Sequence, residues 1–196
     1  MLRVSAILLG AGESKRMGTD KLSLPWGRKT VFEHSLETLL RSKVKEVVTA
    51  IRDSKRTIVS NIKDPKLRVV INPYYKKGMS TSIRRGLQAI DPRSRGILIA
   101  LGDQPLVKTR TVNALINAFV QRRGTIIVPS FYGRQGHPVI FHRRYLKELL
   151  KLKGDVGGKS ILEKYPEEVC LVHVKSRGVT KDMDTWKDYE SVKNER

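Results

Sequence analysis

The chain has 196 residues and a formal net charge of +20, and no apolar run approaches the ~18 residues that a membrane-spanning helix needs. The length suits one domain over residues 1–196, and the glycines and charges after the short apolar N-terminal run argue against a signal peptide, so a cytoplasmic protein is expected. The excess of basic residues favours anionic ligands. These residues are spread in pairs without a basic tail or aromatic stacking motifs, so a nucleic-acid-binding protein is the weaker alternative.

Strand and helix patterns alternate along the first part of the chain. Val4–Leu9 is a short apolar run that ends in glycines, as a buried central strand does. Thr30–Glu33 has the pattern of a capping box, in which each side chain can bond an unpaired amide at a helix start. The next segments, in chain order, are a strand at 47–51, a strand at 68–71, a helix after Gly78, a strand at 96–101 and a helix from Thr109.

The last third of the chain has a different order of elements. Strands are predicted at 125–128 and 138–141 with no helix between them, and a buried strand at 169–174 contains the single cysteine, Cys170, as a small core residue. Thr185 is placed to cap a last helix. Strands that alternate with helices predict a three-layer, Rossmann-like α/β fold with a mostly parallel sheet. The two consecutive strands predict that part of the sheet is antiparallel.

The first strand leads into a glycine-rich loop that carries two cations. Glycines after a strand let backbone amides turn towards a ligand, and a nest of amides attracts phosphate. Cationic side chains in such a loop can reach different phosphoryl oxygens. We therefore predict a phosphate-binding loop rather than a plain turn. Its residues are Gly10, Ala11, Gly12, Ser14, Arg16 and Lys21.

Two well-known phosphate motifs do not fit this loop. A P-loop that began at Gly10 would end in a lysine followed by serine or threonine, but Met17 stands where the serine or threonine would be. A dinucleotide fingerprint would need a small residue where Lys15 stands, and an acid about 20 residues further on. The loop is therefore expected to belong to another class of nucleotide-binding protein.

Acids follow two of the later strands. Asp103 comes after the strand at 96–101, and Asp182 and Asp184 come after the strand at 169–174. Carboxylates at the C-terminal edge of a sheet stand in the crevice where open α/β sheets bind ligands, and Mg²⁺ commonly takes one or two of them beside substrate phosphates. A lone acid could equally be a turn residue, so the pair predicts the metal site. Alternation along an extended segment points Asp182 and Asp184 the same way, which leaves the choice between them open.

Several ordered motifs extend from the first strand to the last helix. They are Leu9–Lys21, Asn72-Pro73, Gly78–Ser82, Asp103–Pro105, Gly136–Val139, Gly154–Lys159 and Asp182–Tyr189. In their order and spacing they resemble the motifs of the MobA-like NTP transferases, and within that family those of the molybdenum cofactor cytidylyltransferases, over nearly the whole chain. Gly10 in the first motif, and Trp186 and Lys187 in the last, depart from the family pattern.

The resemblance implies a reaction and the residues that serve it. An NTP would bind with Mg²⁺, and the nucleotidyl group would pass to a small phosphorylated acceptor with release of pyrophosphate. Arg16, Lys21 and Asp103 would serve catalysis, with Asp103 and Asp184 as the metal ligands. The residues implied to hold the nucleotide are Leu9, Gly10, Ala11, Gly12, Ser14, Arg16, Lys21, Asn72, Gly78, Ser80 and Ser82, with Asn72, Ser80 and Ser82 near the nucleoside.

Narrower features of the resemblance concern the base and the acceptor. Ala11 stands where family members that use CTP carry alanine and those that use GTP carry glycine, so CTP is expected, with GTP or another NTP as the alternative. The acceptor would be the terminal phosphate of molybdopterin cofactor, with another small phosphorylated molecule as the alternative. A molybdenum enzyme that receives the product would be a partner. The residues on the acceptor side would be His137, Gly157, Gly158 and Lys159.

Overall fold

The apolar runs assemble into one eight-stranded sheet with helices on both faces, in a computed structural model that describes residues 3–195. The strands are β1 (Val4–Gly10), β2 (Pro25–Trp26), β3 (Lys29–Thr30), β4 (Glu46–Ile51), β5 (Leu67–Ile71), β6 (Gly96–Leu101), β7 (Ile126–Phe131), β8 (Arg134–Gln135), β9 (Val139–His142) and β10 (Val169–His173). The α-helices are α1 (Val31–Leu40), α2 (Arg56–Val59), α3 (Met79–Ala89), α4 (Thr109–Val120), α5 (Leu146–Lys151), α6 (Lys159–Lys164) and α7 (Trp186–Lys193). None of these helices is long and apolar enough to cross a membrane.

The large sheet is mixed and mostly parallel, which confirms the predicted fold class. Its order is β10-β7-β9-β6-β1-β4-β5, and β8 pairs with β7, while β2 and β3 form a separate two-stranded sheet. Only β9 runs against the other strands in this order, since it pairs antiparallel with both β6 and β7. Because β9 is reversed, its first residues lie at the edge where the parallel strands end.

Strand β1 lies inside the sheet and shows how the two helical layers form. All of its residues are buried. Ala6 and Leu8 belong to the core on the side of α1, α4 and α7, whereas Ile7 and Leu9 belong to the core on the side of α3, α5 and α6. Successive side chains of a strand point to opposite faces, so a strand covered on both faces must be apolar throughout.

Both predicted helix caps are present. At the start of α1, Thr30 Oγ1 accepts a hydrogen bond from the Glu33 amide at 3.2 Å, and the Glu33 carboxylate accepts one from the Thr30 amide at 2.6 Å. Thr185 and Asp188 form the same reciprocal pair at the start of α7. These bonds satisfy amides that have no partner within the first turn of a helix.

Strand β10 is an edge strand, which corrects the prediction of a buried strand around Cys170. Val172 is buried, but Leu171 is 37% exposed and Cys170 is only half-buried. Among the described strands it pairs only with β7. Cys170 and Val172 pack against the core on the side of α1, α4 and α7, whereas Leu171 and His173 on the other side are exposed. An apolar run predicts a strand but does not say whether that strand is central or at an edge.

Candidate active site

The C-terminal edge of the parallel strands surrounds a cleft of about 620 Å³. The loop after β1 forms one wall, the start of α3 forms another, and the segments after β6 and before α7 contribute acids. Such a position is the usual ligand site of an open α/β sheet. The residues singled out in the sequence that line this cleft are Leu9, Ala11, Gly12, Ser14, Arg16, Lys21, Gly78, Ser82, Asp103, Asp182 and Asp184.

The ammonium group of Lys21 lies between the two acids for which a metal was predicted. Its Nζ contacts Asp103 Oδ2 and is 3.0 Å from Asp184 Oδ1. Burial alone would lower the pKa of Lys21, but the charges and hydrogen bonds of Asp103 and Asp184 outweigh this effect and raise it. Lys21 therefore stays protonated, and two carboxylates from distant parts of the chain converge on one point.

Arg16 is the second cation at this point. Its Nη1 donates a hydrogen bond to Asp184 Oδ2 at 2.7 Å, and its side chain is 75% exposed. An exposed ion pair contributes little to stability, because water and salt screen it. Arg16 can therefore exchange the Asp184 carboxylate for another anion at small cost.

The loop between β1 and Lys21 is folded around Ser14. The Ser14 backbone has φ of 56°, its carbonyl accepts from the Met17 amide at 3.0 Å, and its Oγ accepts from the Lys21 amide at 3.2 Å. Met17 is 6% exposed and packs into the core. The Ser14 hydroxyl thus ties the two ends of the cationic part of the loop together.

Gly10 belongs to the packing of the sheet and not to the cleft lining. A Cβ at this position would lie 2.4 Å from the ring of Phe32 and 3.0 Å from the side chain of Ile51. The ring of Phe32 thus occupies the space that an alanine methyl group would need. This contact accounts for the glycine that departs from the family pattern at this position.

Asn72 and Ser80 lie behind the cleft wall and not in it. Asn72 is fully buried, and its Nδ2 donates to Thr81 Oγ1 and to Ser82 Oγ, both at 2.9 Å. Its Oδ1 accepts from the amide of Tyr74 at 3.0 Å. Ser80 is also fully buried, and its Oγ has no hydrogen-bond partner among the described residues. Of the three residues implied to lie near the nucleoside, Ser82 lines the cleft and Asn72 orients it from behind.

The residues expected on the acceptor side lie outside the cleft lining. A Cβ on Gly158 would lie 2.3 Å from the ring of Phe141, and one on Gly157 would lie 3.3 Å from the sulfur of Met79, so both glycines sit where packing leaves little room. The Lys159 side chain is 85% exposed, and its Nζ is 3.7 Å from Glu163.

Asp155, from the same segment as these glycines, does line the cleft, and its Oδ1 accepts from the amide of Met79 at 3.1 Å. This bond satisfies the first amide of α3. A Cβ on Gly78 would lie 2.3 Å from the backbone of Gly154, so the segment lies tightly against the start of the helix. The sequence pattern did not single out Asp155 as a cleft residue, because its placement depends on this contact between distant segments.

His137 is next to the acids but does not line the cleft. Its amide donates to the Val179 carbonyl at 2.8 Å. Burial lowers the pKa of the His137 imidazole, and the nearby Asp182 and Asp103 offset this only in part. The imidazole is therefore neutral near pH 7.

Asp182 and Asp184 both line the cleft, with the fully buried Met183 between them. The alternation expected of an extended segment is therefore present. Their partners differ, because Asp182 Oδ1 accepts from Gln104 Nε2 at 2.7 Å whereas Asp184 is held by the two cations of the loop.

The donor set fits a hard divalent cation. Two carboxylates that converge on one ammonium can instead converge on one ion, and oxygen is the ligand that Mg²⁺ and Mn²⁺ prefer. Within residues 3–195, no group of three or more His, Cys, Asp and Glu side chains is placed to hold a metal. An ion at Asp103 and Asp184 would therefore need substrate oxygens and water to complete its coordination.

Tyr75 and Lys76 also line the cleft, and the sequence patterns did not identify them. They lie in a short 3₁₀ helix, Tyr75–Lys77, between two motifs. No periodicity or motif spacing marks these two positions, so their role in the wall follows from the tertiary structure alone.

The sequence model of the MobA-like NTP transferase domain matches residues 6–169. The chain belongs to this family. It is therefore a nucleotidyltransferase, and the matched region includes the loop after β1, Asp103 and the start of α3. The segment with Asp184 lies after it.

Curated relatives of this MobA-like transferase cover most of its length. The purine catabolism protein PucB of Bacillus subtilis is 26% identical over 95% of this chain and 94% of its own length. The molybdenum cofactor cytidylyltransferase of Escherichia coli is 22% identical over 98% of this chain and 97% of its own length. A probable molybdenum cofactor guanylyltransferase of Methanosarcina mazei is 31% identical over 74% of this chain and 65% of its own length.

Solved structures have the same fold. Rv0371C of Mycobacterium tuberculosis, in complex with manganese, superposes with a TM-score of 0.81 at 25% identity and covers 99% of this chain and 100% of that chain.

Proposed function

We propose that this nucleotidyltransferase transfers CMP from CTP to the terminal phosphate of a molybdopterin-type cofactor and releases pyrophosphate. The observation that carries the proposal is the meeting of Lys21, Asp103 and Asp184 beside the glycine-rich loop. The choice of CTP is supported by Ala11 in the cleft lining. The choice of acceptor is supported by the full-length similarity to the E. coli cytidylyltransferase.

The triphosphate would lie against the loop after β1. Arg16 and Lys21 would exchange their carboxylate partners for phosphoryl oxygens, and the cations would then stabilise the negative charge that develops on the leaving pyrophosphate. Ser82, at the start of α3, would face the nucleoside from the opposite wall.

Asp103 and Asp184 would hold the divalent cation, which would neutralise phosphoryl oxygens during transfer. Manganese in the related Rv0371C structure supports a divalent ion of this size class. Asp184 is preferred to Asp182 because the Gln104 amide already occupies an oxygen of Asp182. The partners of Asp184 are the two cations that would move to the phosphates.

The transfer itself needs little covalent help from the protein. An oxygen of the acceptor phosphate attacks the α-phosphorus, the bond from that phosphorus to the bridging oxygen of the β-phosphate breaks, and pyrophosphate leaves with the bonding electrons. The attacking phosphate is already anionic, so no general base is required. The neutral His137 therefore has no proton to accept, and positioning and charge neutralisation are the contributions of this chain.

Pyrophosphate release tests the proposal. The protein is mixed with Mg²⁺, molybdenum-loaded molybdopterin cofactor and each of the four NTPs in turn, and release is expected with CTP. Faster release with GTP would overturn the choice of base and leave nucleotidyl transfer standing. Release with a different phosphorylated acceptor, and none with the molybdenum cofactor, would overturn the choice of acceptor.

The metal site has a matched pair of variants. Asp184→Asn is expected to reduce metal-dependent release at least about 100-fold, the range seen when one group that stabilises a transition-state charge is removed. Asp182→Asn changes the same charge two residues away and is expected to have a smaller effect, because Asp182 bonds Gln104. The opposite order of effects would make Asp182 the ligand.

A further inference from the structure

A buried lysine lies behind the nucleotide loop and outside the cleft lining. The side chain of Lys55 is 2% exposed, although lysine is among the residues least often buried. It ends the 3₁₀ helix Asp53–Lys55 that follows β4. A buried ammonium must have partners that replace the lost hydration, so its contacts show what it does.

The contacts of Lys55 join the two ends of the loop. Its Nζ donates to the carbonyl of Gly12 at 3.3 Å and is 2.8 Å from Asp20 Oδ1. Gly12 stands at the start of the loop, and Asp20 directly precedes Lys21. One ammonium group from another element therefore holds both ends.

Asp20 transmits this contact to Lys21. Its Oδ1 also accepts from the Leu22 amide at 3.2 Å, and its Oδ2 accepts from Ser23 Oγ at 3.1 Å. These bonds cap the 3₁₀ helix Lys21–Ser23, in which Leu22 is buried in the core. The backbone from which the Lys21 side chain reaches Asp103 and Asp184 is thus anchored to Lys55 through one carboxylate.

The contact with Gly12 orients a peptide group. The Gly12–Glu13 peptide bond is trans, so the carbonyl of Gly12 and the amide of Glu13 point in opposite directions. The carbonyl points to Lys55, behind the loop. The amide of Glu13 therefore points away from Lys55. Gly12 and Glu13 both line the cleft, whereas Lys55 is not among the lining residues.

The charges of this cluster leave a positive excess behind the loop. Burial lowers the pKa of Lys55, and the contact with Asp20 opposes this effect. Burial alone would raise the pKa of Asp20, but the contact with Lys55 and the hydrogen bonds from Ser23 and Leu22 together outweigh it and lower the pKa, so the carboxylate is charged. Arg52 Nη2 lies 3.6 Å from Asp20 Oδ2. Two cations therefore surround one carboxylate, at a place where solvent screens them less than at the surface.

We propose that Lys55 is a positioning residue for nucleotidyl transfer, which holds Gly12 and Asp20 from behind so that the Glu13 amide and Lys21 are preset for the triphosphate. The proposal rests on the function proposed above for the loop. When the amides and cations are already in place, binding of the triphosphate does not include the free-energy cost of ordering the loop.

The test is Lys55→Met, which keeps an unbranched side chain and removes the ammonium. The control is Lys66→Met, because Lys66 Nζ also donates to two backbone carbonyls, those of Leu40 and Ser42, each at 3.1 Å. Lys66 directly precedes β5 and so lies at the opposite edge of the sheet from the cleft.

Binding of each NTP with Mg²⁺ is measured by calorimetry, and KM and kcat are measured with the acceptor that the wild type uses. Lys55→Met is expected to weaken NTP binding and raise the KM for NTP at least tenfold, with an unchanged KM for the acceptor. Lys66→Met is expected to keep wild-type kinetics even if its melting temperature falls. A folded Lys55→Met variant with wild-type NTP binding would overturn the positioning role and leave the proposed function intact, whereas a wild type that binds no NTP would overturn both.

Asp20→Asn keeps the inference testable if Lys55→Met does not fold. The amide retains the shape of the carboxylate but loses its charge, so it weakens the tie to Lys21 and leaves the bond from Lys55 to Gly12 in place. We expect a rise in the KM for NTP that is smaller than tenfold and again leaves the KM for the acceptor unchanged. Equal KM values for Asp20→Asn and the wild type would show that the loop needs no support from behind.

Discussion

Replacing Lys21 by methionine is expected to move metal affinity and turnover in opposite directions. The ammonium of Lys21 occupies the point where the carboxylates of Asp103 and Asp184 converge. A divalent cation must displace this ammonium to reach both carboxylates. Methionine has a similar length and no charge, so Lys21→Met removes the competitor and leaves the two acids in place.

The size of the effect follows from the geometry of the ion pair. Two unit charges at the 3.0 Å that separates Lys21 Nζ from Asp184 Oδ1 attract each other by about 1.4 kcal/mol in water and by about 5.5 kcal/mol at an effective dielectric constant of about 20. The Asp184 side chain is 45% exposed, so the lower value is used for this pair, and the additional contact of Lys21 with the more buried Asp103 makes it a minimum. About 1.4 kcal/mol corresponds to a roughly tenfold gain in metal affinity.

The assay is titration of Mn²⁺ into NTP-free protein, followed by the loss of the free-ion paramagnetic resonance signal. Lys21→Met is expected to bind Mn²⁺ at least about tenfold more tightly than the wild type, and to release pyrophosphate at least about 100-fold more slowly because a cation on the phosphates is lost. Lys15→Met is the control, since Lys15 also lines the cleft and carries the same charge but pairs with Glu13 at 3.3 Å.

Unchanged or weaker Mn²⁺ binding by Lys21→Met would refute the reasoning, because the ammonium would then not compete for the metal site. Tighter binding by Lys15→Met to the same degree would show that the general positive field, and not the position of Lys21, controls metal affinity.

Three further outcomes are expected. Ala11→Gly should reduce the preference for CTP over GTP, measured as pyrophosphate release from an equal mixture of the two. Gly158→Ala should lower the free energy of unfolding by about 1–3 kcal/mol in urea titration, because its methyl group would overlap the buried ring of Phe141, whereas Gly12→Ala, whose methyl would meet nothing within 4 Å, should not. For the metal-free protein, burial lowers the pKa of His137, so the unfolded chain binds more protons than the folded one and stability falls as the pH drops below about 6.5. His137→Gln should flatten this fall in denaturant titrations between about pH 5 and 7, and an unchanged slope would contradict the assigned burial effect.

Much of the fold could be predicted because its signals are local. The apolar run of β1, the caps at Thr30 and Thr185 and the consecutive strands near 125–141 depend on residues close together in sequence. The structure confirms each of them. The edge position of β10 could not be predicted, because it depends on which strands pair across the sheet.

The candidate site divides in the same way. The glycine-rich loop and the acids after β6 and β10 were recognised from their positions at strand ends, since parallel strands bring those ends to one edge. The contacts between the loop and these acids cannot be predicted from the sequence. The contact of Lys21 with both Asp103 and Asp184 joins three distant segments, and no spacing in the chain encodes it.

Glycines and buried polar residues show most clearly what the sequence alone cannot predict. A glycine in a motif signals that a side chain is not tolerated, but only the packed structure shows that Phe32 excludes a methyl group at Gly10. Lys55, in the short 3₁₀ helix after β4, has no sequence feature that separates it from the other basic residues of a chain with net charge +20. Local patterns therefore specified the strands, the helix caps and the loop, because hydrogen bonding and periodicity act between neighbours. Burial decided that Lys55 faces the back of that loop, because burial depends on contacts between segments that are distant in the chain.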